Sequence, residues 1–156
     1  MPRAARAQSA TTSDIVISQI YTRGGLPGAT FQNDFVELFN RGNATVNITG
    51  WGLSISSSEG NASESGTTAI FSTRSFGVNI APGQHMLIGL GGGNVFGGGG
   101  GAGQTLPTPD LDLTSTPLQL LGDRGQVVLL RNTVQTIQPG QCLANDTTGV
   151  VADFVA

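Results

Sequence analysis

The sequence predicts a single all-β domain, an antiparallel sandwich or barrel of about eight to ten short strands. Its apolar residues recur with a period of two rather than 3.6, the signature of strands with one buried face. These runs are separated by clusters of Gly, Pro and Asn, and no segment holds a helical period for three turns. A chain of 156 residues suits one domain with one core.

Taken in order, residues 15–21 (IVISQIY) are rich in β-branched side chains and stop at Arg23-Gly24-Gly25, a turn signal. Residues 34–40 (DFVELFN) form the next strand and close at Arg41-Gly42-Asn43. Residues 45–48 and 51–55 alternate apolar with polar on either side of Thr49-Gly50, and Trp51 is expected to anchor the core edge. Residues 56–68 are small and polar and read as a loop, followed by short strands at 69–71 and 78–80. Ala81-Pro82-Gly83-Gln84 reads as a turn, because Pro presets φ and Gly takes the positive φ of the third position. Residues 85–90 (HMLIGL) follow as a mostly buried strand. Residues 91–103 contain nine glycines in thirteen positions and read as a mobile surface loop with too little to bury. Strands at 118–121, 125–131 and 149–155 complete the set, the first two joined by a hairpin turn at 123–125. Residues 1–13 read as a flexible N-terminal segment, either a disordered tail or the remnant of a signal peptide, and 14–156 as the domain.

Composition narrows the function. All seven basic residues are Arg, the net charge is -3, and charged residues make up only 11% of the chain. No basic face is available for phosphates, which argues against nucleic acid as a partner. No run of apolar residues is long enough for a membrane helix. Low charge with abundant Thr, Asn and Gly points to an extracellular or cell-surface protein.

Reactive groups are scarce. His85 is the one histidine and Cys142 the one cysteine. A nucleophile elbow is missing, and His85, directly after the Pro-Gly turn, reads as an exposed strand-end residue rather than a catalytic one. Cys142 has no internal partner, so it is either a buried small apolar residue or a thiol free or paired outside the chain. Zinc would need more His or Cys ligands than exist. Asp110 and Asp112 share one side of an extended segment and are the candidates for calcium, although paired loop aspartates also cap turns. The glycine run lacks both a following helix and a lysine, so it is not a phosphate loop. The expectation is no cofactor.

Asp14-Ile-Val-Ile-Ser-Gln-Ile, Asn33-Asp-Phe-Val-Glu-Leu-Phe-Asn, Ile48-Thr-Gly-Trp-Gly-Leu and Ile80-Ala-Pro-Gly-Gln-His-Met-Leu-Ile together resemble the lamin tail domain family. The likeness runs from residue 13 to 156 and is most specific at Glu37-Leu38-Phe39-Asn40 and Gly50-Trp51. The glycine run and Pro107-Thr108-Pro109-Asp110 resemble its bacterial secreted branch. The resemblance implies an immunoglobulin-like β-sandwich without catalytic residues, serving as an interaction module. It implies a protein or surface polymer as partner, or attachment of a neighbouring domain. The alternative is a self-assembling subunit of an extracellular filament or surface layer, pairing copies through exposed sheet edges.

Glu37 tests this non-enzymatic reading, because it interrupts an apolar strand. Val36 and Leu38 share the face assigned to the core, while Phe35, Glu37 and Phe39 share the other. Glu37 is therefore expected to accept hydrogen bonds from a neighbouring strand or from Arg41. With Asn40 and Trp51, it is read as structural.

Overall fold

The computed structural model of the chain describes residues 13–57, 67–70, 78–92, 101–115, 120, 125–131 and 150–155. Among these residues there are strands and no helix. The strands are β1 (Ile15–Tyr21), β2 (Phe35–Asn40), β3 (Val46–Asn47), β4 (Gly52–Ser57) and β5 (Thr67–Ile70). They continue with β6 (Asn79–Ile80), β7 (His85–Gly89), β8 (Leu111–Asp112), β9 (Gly125–Leu130) and β10 (Val151–Val155). One sheet runs β1-β2-β7-β8, a second β10-β9-β4-β5, and β3 pairs with β6.

Alternation builds the sandwich. In β2, Val36 and Leu38 are fully buried, and the register Val36↔Ile88 and Leu38↔Met86 puts four apolar side chains on one face. Leu53 and Ile55 of β4, Val127 and Leu129 of β9 and Ala152 of β10 join them in one cluster, so the two sheets pack face to face. Each fully buried Leu, Ile or Val contributes about 1.5–3 kcal/mol. The outward face of the second sheet carries a separate apolar cluster of Val128, Leu130 and Val151, with Phe154 against it.

The structure bears on three further readings of the sequence. The sandwich is not wholly antiparallel, since β7 and β8 pair in parallel through Ile88↔Leu111 and Gly89↔Asp112. The chain between them is long enough to cross over and return in the same direction. Of the strand expected at 118–121, Leu120 is described and is buried, while residues 118, 119 and 121 and most of the 123–125 turn lie outside the described residues.

The glycine run is the third. Residues 93–100 lie outside the described residues, but the ends of the run are packed against the chain itself. A Cβ on Gly92 would lie 2.1 Å from the Gln32 carbonyl oxygen, and one on Gly101 would lie 2.5 Å from the Gly25 Cα. Bridges Gly25↔Ala102 and Phe31↔Gln104 continue the contact. These glycines let two backbones approach where any side chain would collide. The Pro-Gly turn follows its reading: the Gln84 N–H donates to the Ala81 carbonyl oxygen at 3.0 Å, and Gly83 has φ 71°.

Side chains engage two of the sheet margins. β1 and β10, the edges of different sheets, are joined where the Ile17 N–H donates to Asp153 Oδ2 at 2.7 Å, and both strands shift register there. On the far side of the first sheet, the Leu87 N–H donates to Asp110 Oδ2 at 2.8 Å, extending the cover that two-residue β8 gives to β7.

Trp51 is partly buried and packs on the shared core, with the Arg131 guanidinium 5.8 Å from its ring centroid. Because burial is partial, Trp51→Ala is expected to cost about 2–3 kcal/mol, below the usual cost for a fully buried Trp. Urea unfolding measures it. An unchanged midpoint would mean that the indole does not support the core.

Candidate interaction face

Phe35, Glu37 and Phe39 point away from the core, as the alternation requires, onto the outer face of the β1-β2-β7-β8 sheet. The end of this face at Phe35 is roofed by the chain itself. Tyr21 stacks on Phe35 with centroids 5.3 Å apart, and Phe31 meets both rings edge-on. The Tyr21 hydroxyl oxygen accepts the N–H groups of Thr30 at 2.8 Å and Phe31 at 3.2 Å, which holds the intervening loop over the sheet. Beside it, Pro109 and Thr114 crowd Gly89, where an added Cβ would come within 2.8 Å of Pro109 Cγ.

The other end is open. Register places Val16, Phe39 and His85 in one row and Glu37 and Leu87 in the next. Val16, Phe39 and Leu87 are half-buried, while the side chains of His85 and Glu37 are 53% and 26% exposed. Glu37 Oε1 accepts both the Ser18 hydroxyl, at 2.7 Å, and His85 Nδ1–H, at 2.9 Å. The imidazole leans on Phe39, with ring centroids 4.5 Å apart. One carboxylate therefore clips three strands together across their outer surface. The strand partner expected for Glu37 is present on both sides. Arg41 is not the partner, because its Nε donates to the Ser13 carbonyl oxygen. That bond also draws Ser13, read as part of the flexible segment, into the buried structure.

The Ser18 hydroxyl, outweighing a smaller opposing effect of burial and aided by His85, holds the Glu37 carboxyl below the usual glutamate range. A depressed folded-state pKa adds stability above the unfolded value, and this is lost as pH falls through the folded one. The melting-temperature advantage of the native chain over Glu37→Gln should therefore shrink as the solution is acidified below the ordinary glutamate pKa. A constant difference across that range would show that the carboxylate charge contributes nothing.

Chemically, this cluster is a clip. In a serine-based hydrolase the hydroxyl bonds the imidazole and the carboxylate orients it from the other side. Here both the hydroxyl and the imidazole bond the same carboxylate oxygen, so the imidazole does not stand between Ser18 and Glu37 as that arrangement requires.

Asp110 and Asp112 have tasks of their own. Asp110 accepts the Leu87 N–H, and Asp112 Oδ1 accepts the hydroxyl of Thr114 at 2.7 Å and its N–H at 2.9 Å. Those bonds hold the Asp112 carboxyl below the usual aspartate range. Among the described residues, no group of three or more His, Cys, Asp or Glu side chains converges as a metal site would require. Cys142 lies outside the described residues.

Asn40 is buried and satisfied. Its Nδ2 donates to the carbonyl oxygens of Ala44 at 2.9 Å and Ile80 at 2.7 Å, and its Oδ1 accepts the Gly42 N–H at 2.9 Å. Sequence reasoning did not single out Asp34, which is 1% exposed and accepts the N–H groups of Gly24 at 2.6 Å and Leu120 at 2.7 Å. Its signal is a carboxylate placed directly against an apolar strand and a turn. Ser18 and Asp153 were also missed, because their partners are remote in sequence.

The Lamin Tail Domain family model matches residues 8–149, nearly the whole chain and every described strand except β10. No curated protein matches it. That family is one of non-enzymatic immunoglobulin-like domains of the protein-interaction type. The family match and the two face-to-face sheets agree, and the chain belongs to the lamin tail domain family.

Proposed function

We propose that this protein is a non-catalytic interaction module of the extracellular space or cell surface, which engages a protein or surface polymer, or attaches a neighbouring domain, through the open end of the β1-β2-β7 face. The observation that carries this reading is the His85-Glu37-Ser18 clip among the half-buried side chains of Val16, Phe39 and Leu87. It fixes an apolar surface with charged groups in a single arrangement, so little side-chain freedom is lost when a partner docks. A location outside the cell is supported by the composition, with no Lys and few charges, and by the likeness to the bacterial secreted branch. Binding through a face is favoured over strand-by-strand assembly at β1 and β8, because a side chain of β10 engages the edge of β1 and β8 is only two residues long.

Photo-cross-linking tests the reading. A benzophenone side chain introduced at Leu87, and separately at exposed Thr45 as control, is irradiated with intact cells of the source organism. A product formed from position 87 and not from 45 is expected. Equal products from both, or none from 87, would overturn the assignment of the face, and a product of twice the chain mass would indicate self-assembly instead.

The module is further proposed to fold without a cofactor, with Asp110 and Asp112 serving as hydrogen-bond acceptors for the first sheet. Chelation should then leave the melting temperature unchanged. A fall reversed by added calcium would reveal an ion bound to the folded state.

A further inference from the structure

We infer that the partner of this face is a cationic polypeptide segment, one in which Arg or Lys alternates with apolar residues. The inference rests on the reading of the face as a binding surface and adds the chemistry of what binds. The strands of this sheet contain Glu37, Asp112 and His85 and neither Lys nor Arg. Asp110 joins them at the β7 edge. Arg41, just beyond β2, is turned to the Ser13 carbonyl oxygen.

The three carboxylates share a second property. Glu37 takes its donors on Oε1, Asp110 on Oδ2 and Asp112 on Oδ1. Each side chain is therefore held in place through one of its oxygens. A carboxylate already immobilised gives a charge-assisted hydrogen bond at lower entropic cost than a free one. Leu87 lies between Glu37 and Asp110, and Phe39 continues the face on the other side of Glu37, so both offer apolar contact to the intervening residues of a docked segment, while Asp112, in the row of Phe35 and Gly89, stands toward the roofed end. An anionic partner would meet these charges without a compensating cation in the strands, so the same surface discriminates by sign.

Three synthetic peptides of equal length, alternating Val with Arg, Glu or Gln, are titrated into isotope-labelled native protein while backbone amide resonances are followed. The Arg peptide is expected to shift residues of the open rows, among them Ser18, Glu37, His85 and Leu87, and to leave Val128 and Leu130 on the opposite sheet unmoved. Raising the salt should weaken it about tenfold, as for an interaction led by exposed charges. Glu37→Gln, whose fold is checked by its own amide spectrum, should weaken it about fivefold, the scale of one exposed ion pair.

If the Glu or Gln peptide moves the same resonances as tightly, the cationic partner is wrong and the face survives. Arg-peptide shifts confined to other surfaces, or no shifts at all, overturn the inference too. Whether the face itself then stands is decided by the cross-link from position 87.

Discussion

Asp34→Ala is expected to destabilise the protein by about 3–4 kcal/mol, because two buried N–H groups, those of Gly24 and Leu120, lose the carboxylate that accepts them. The Asp34 main chain also exchanges hydrogen bonds with Leu90 and Gly91, so this one residue ties the 22–33 loop, the end of β7 and the segment entering β9 to the start of β2. Removing the carboxylate also removes a buried charge, which keeps the loss below the sum of two orphaned donors. The pH dependence separates these effects. Burial pushes the Asp34 carboxyl above the usual aspartate range despite the two donors that favour its ionised form. Between the ordinary aspartate pKa and the raised folded one, the native state holds more protons than the unfolded state, so its stability rises as pH falls. The gap between the native chain and Asp34→Ala should widen over that window. Urea unfolding at several pH values measures both quantities, and a loss under about 1 kcal/mol would show that water replaces the carboxylate without cost.

Asn40→Asp should cost about 3–5 kcal/mol at neutral pH, although it changes a single amide nitrogen to oxygen. The site is fully buried, and the amide nitrogen donates to two carbonyl oxygens, those of Ala44 and Ile80. A carboxylate would set negative charge against both, and protonation restores only one donor. The variant's folded-state pKa is therefore raised, and its stability should recover partly as the solution is acidified. Asn40→Ala should lose less, about 2–3 kcal/mol, since it leaves the Gly42 N–H without its acceptor but buries no charge. Thermal melts of the two variants rank them, and an Asp variant as stable as the native chain at neutral pH would mean that water reaches the site.

The sequence alone determined the class of fold, the face assignment of β2 and the Pro-Gly turn before β7. Each depends on local rules: a side-chain period of two, the φ preferences of Pro and Gly, and the need of apolar side chains to leave water. Composition also set the scarcity of reactive groups, since counting does not depend on folding. The placement of Glu37 opposite Val36 and Leu38 followed from alternation, yet its partners did not. Ser18 and His85 lie on strands that only pairing brings beside β2, 19 residues before Glu37 and 48 after it. The same holds for Asp34 and Leu120, 86 apart, and for Ile17 and Asp153, 136 apart. The glycine run shows the limit most clearly. By composition it was too poor in side chains to pack, whereas Gly92 and Gly101 pack because they have none. A close approach of two backbones has no periodic signature in sequence, and only the tertiary arrangement decides which second chain segment is there to be met.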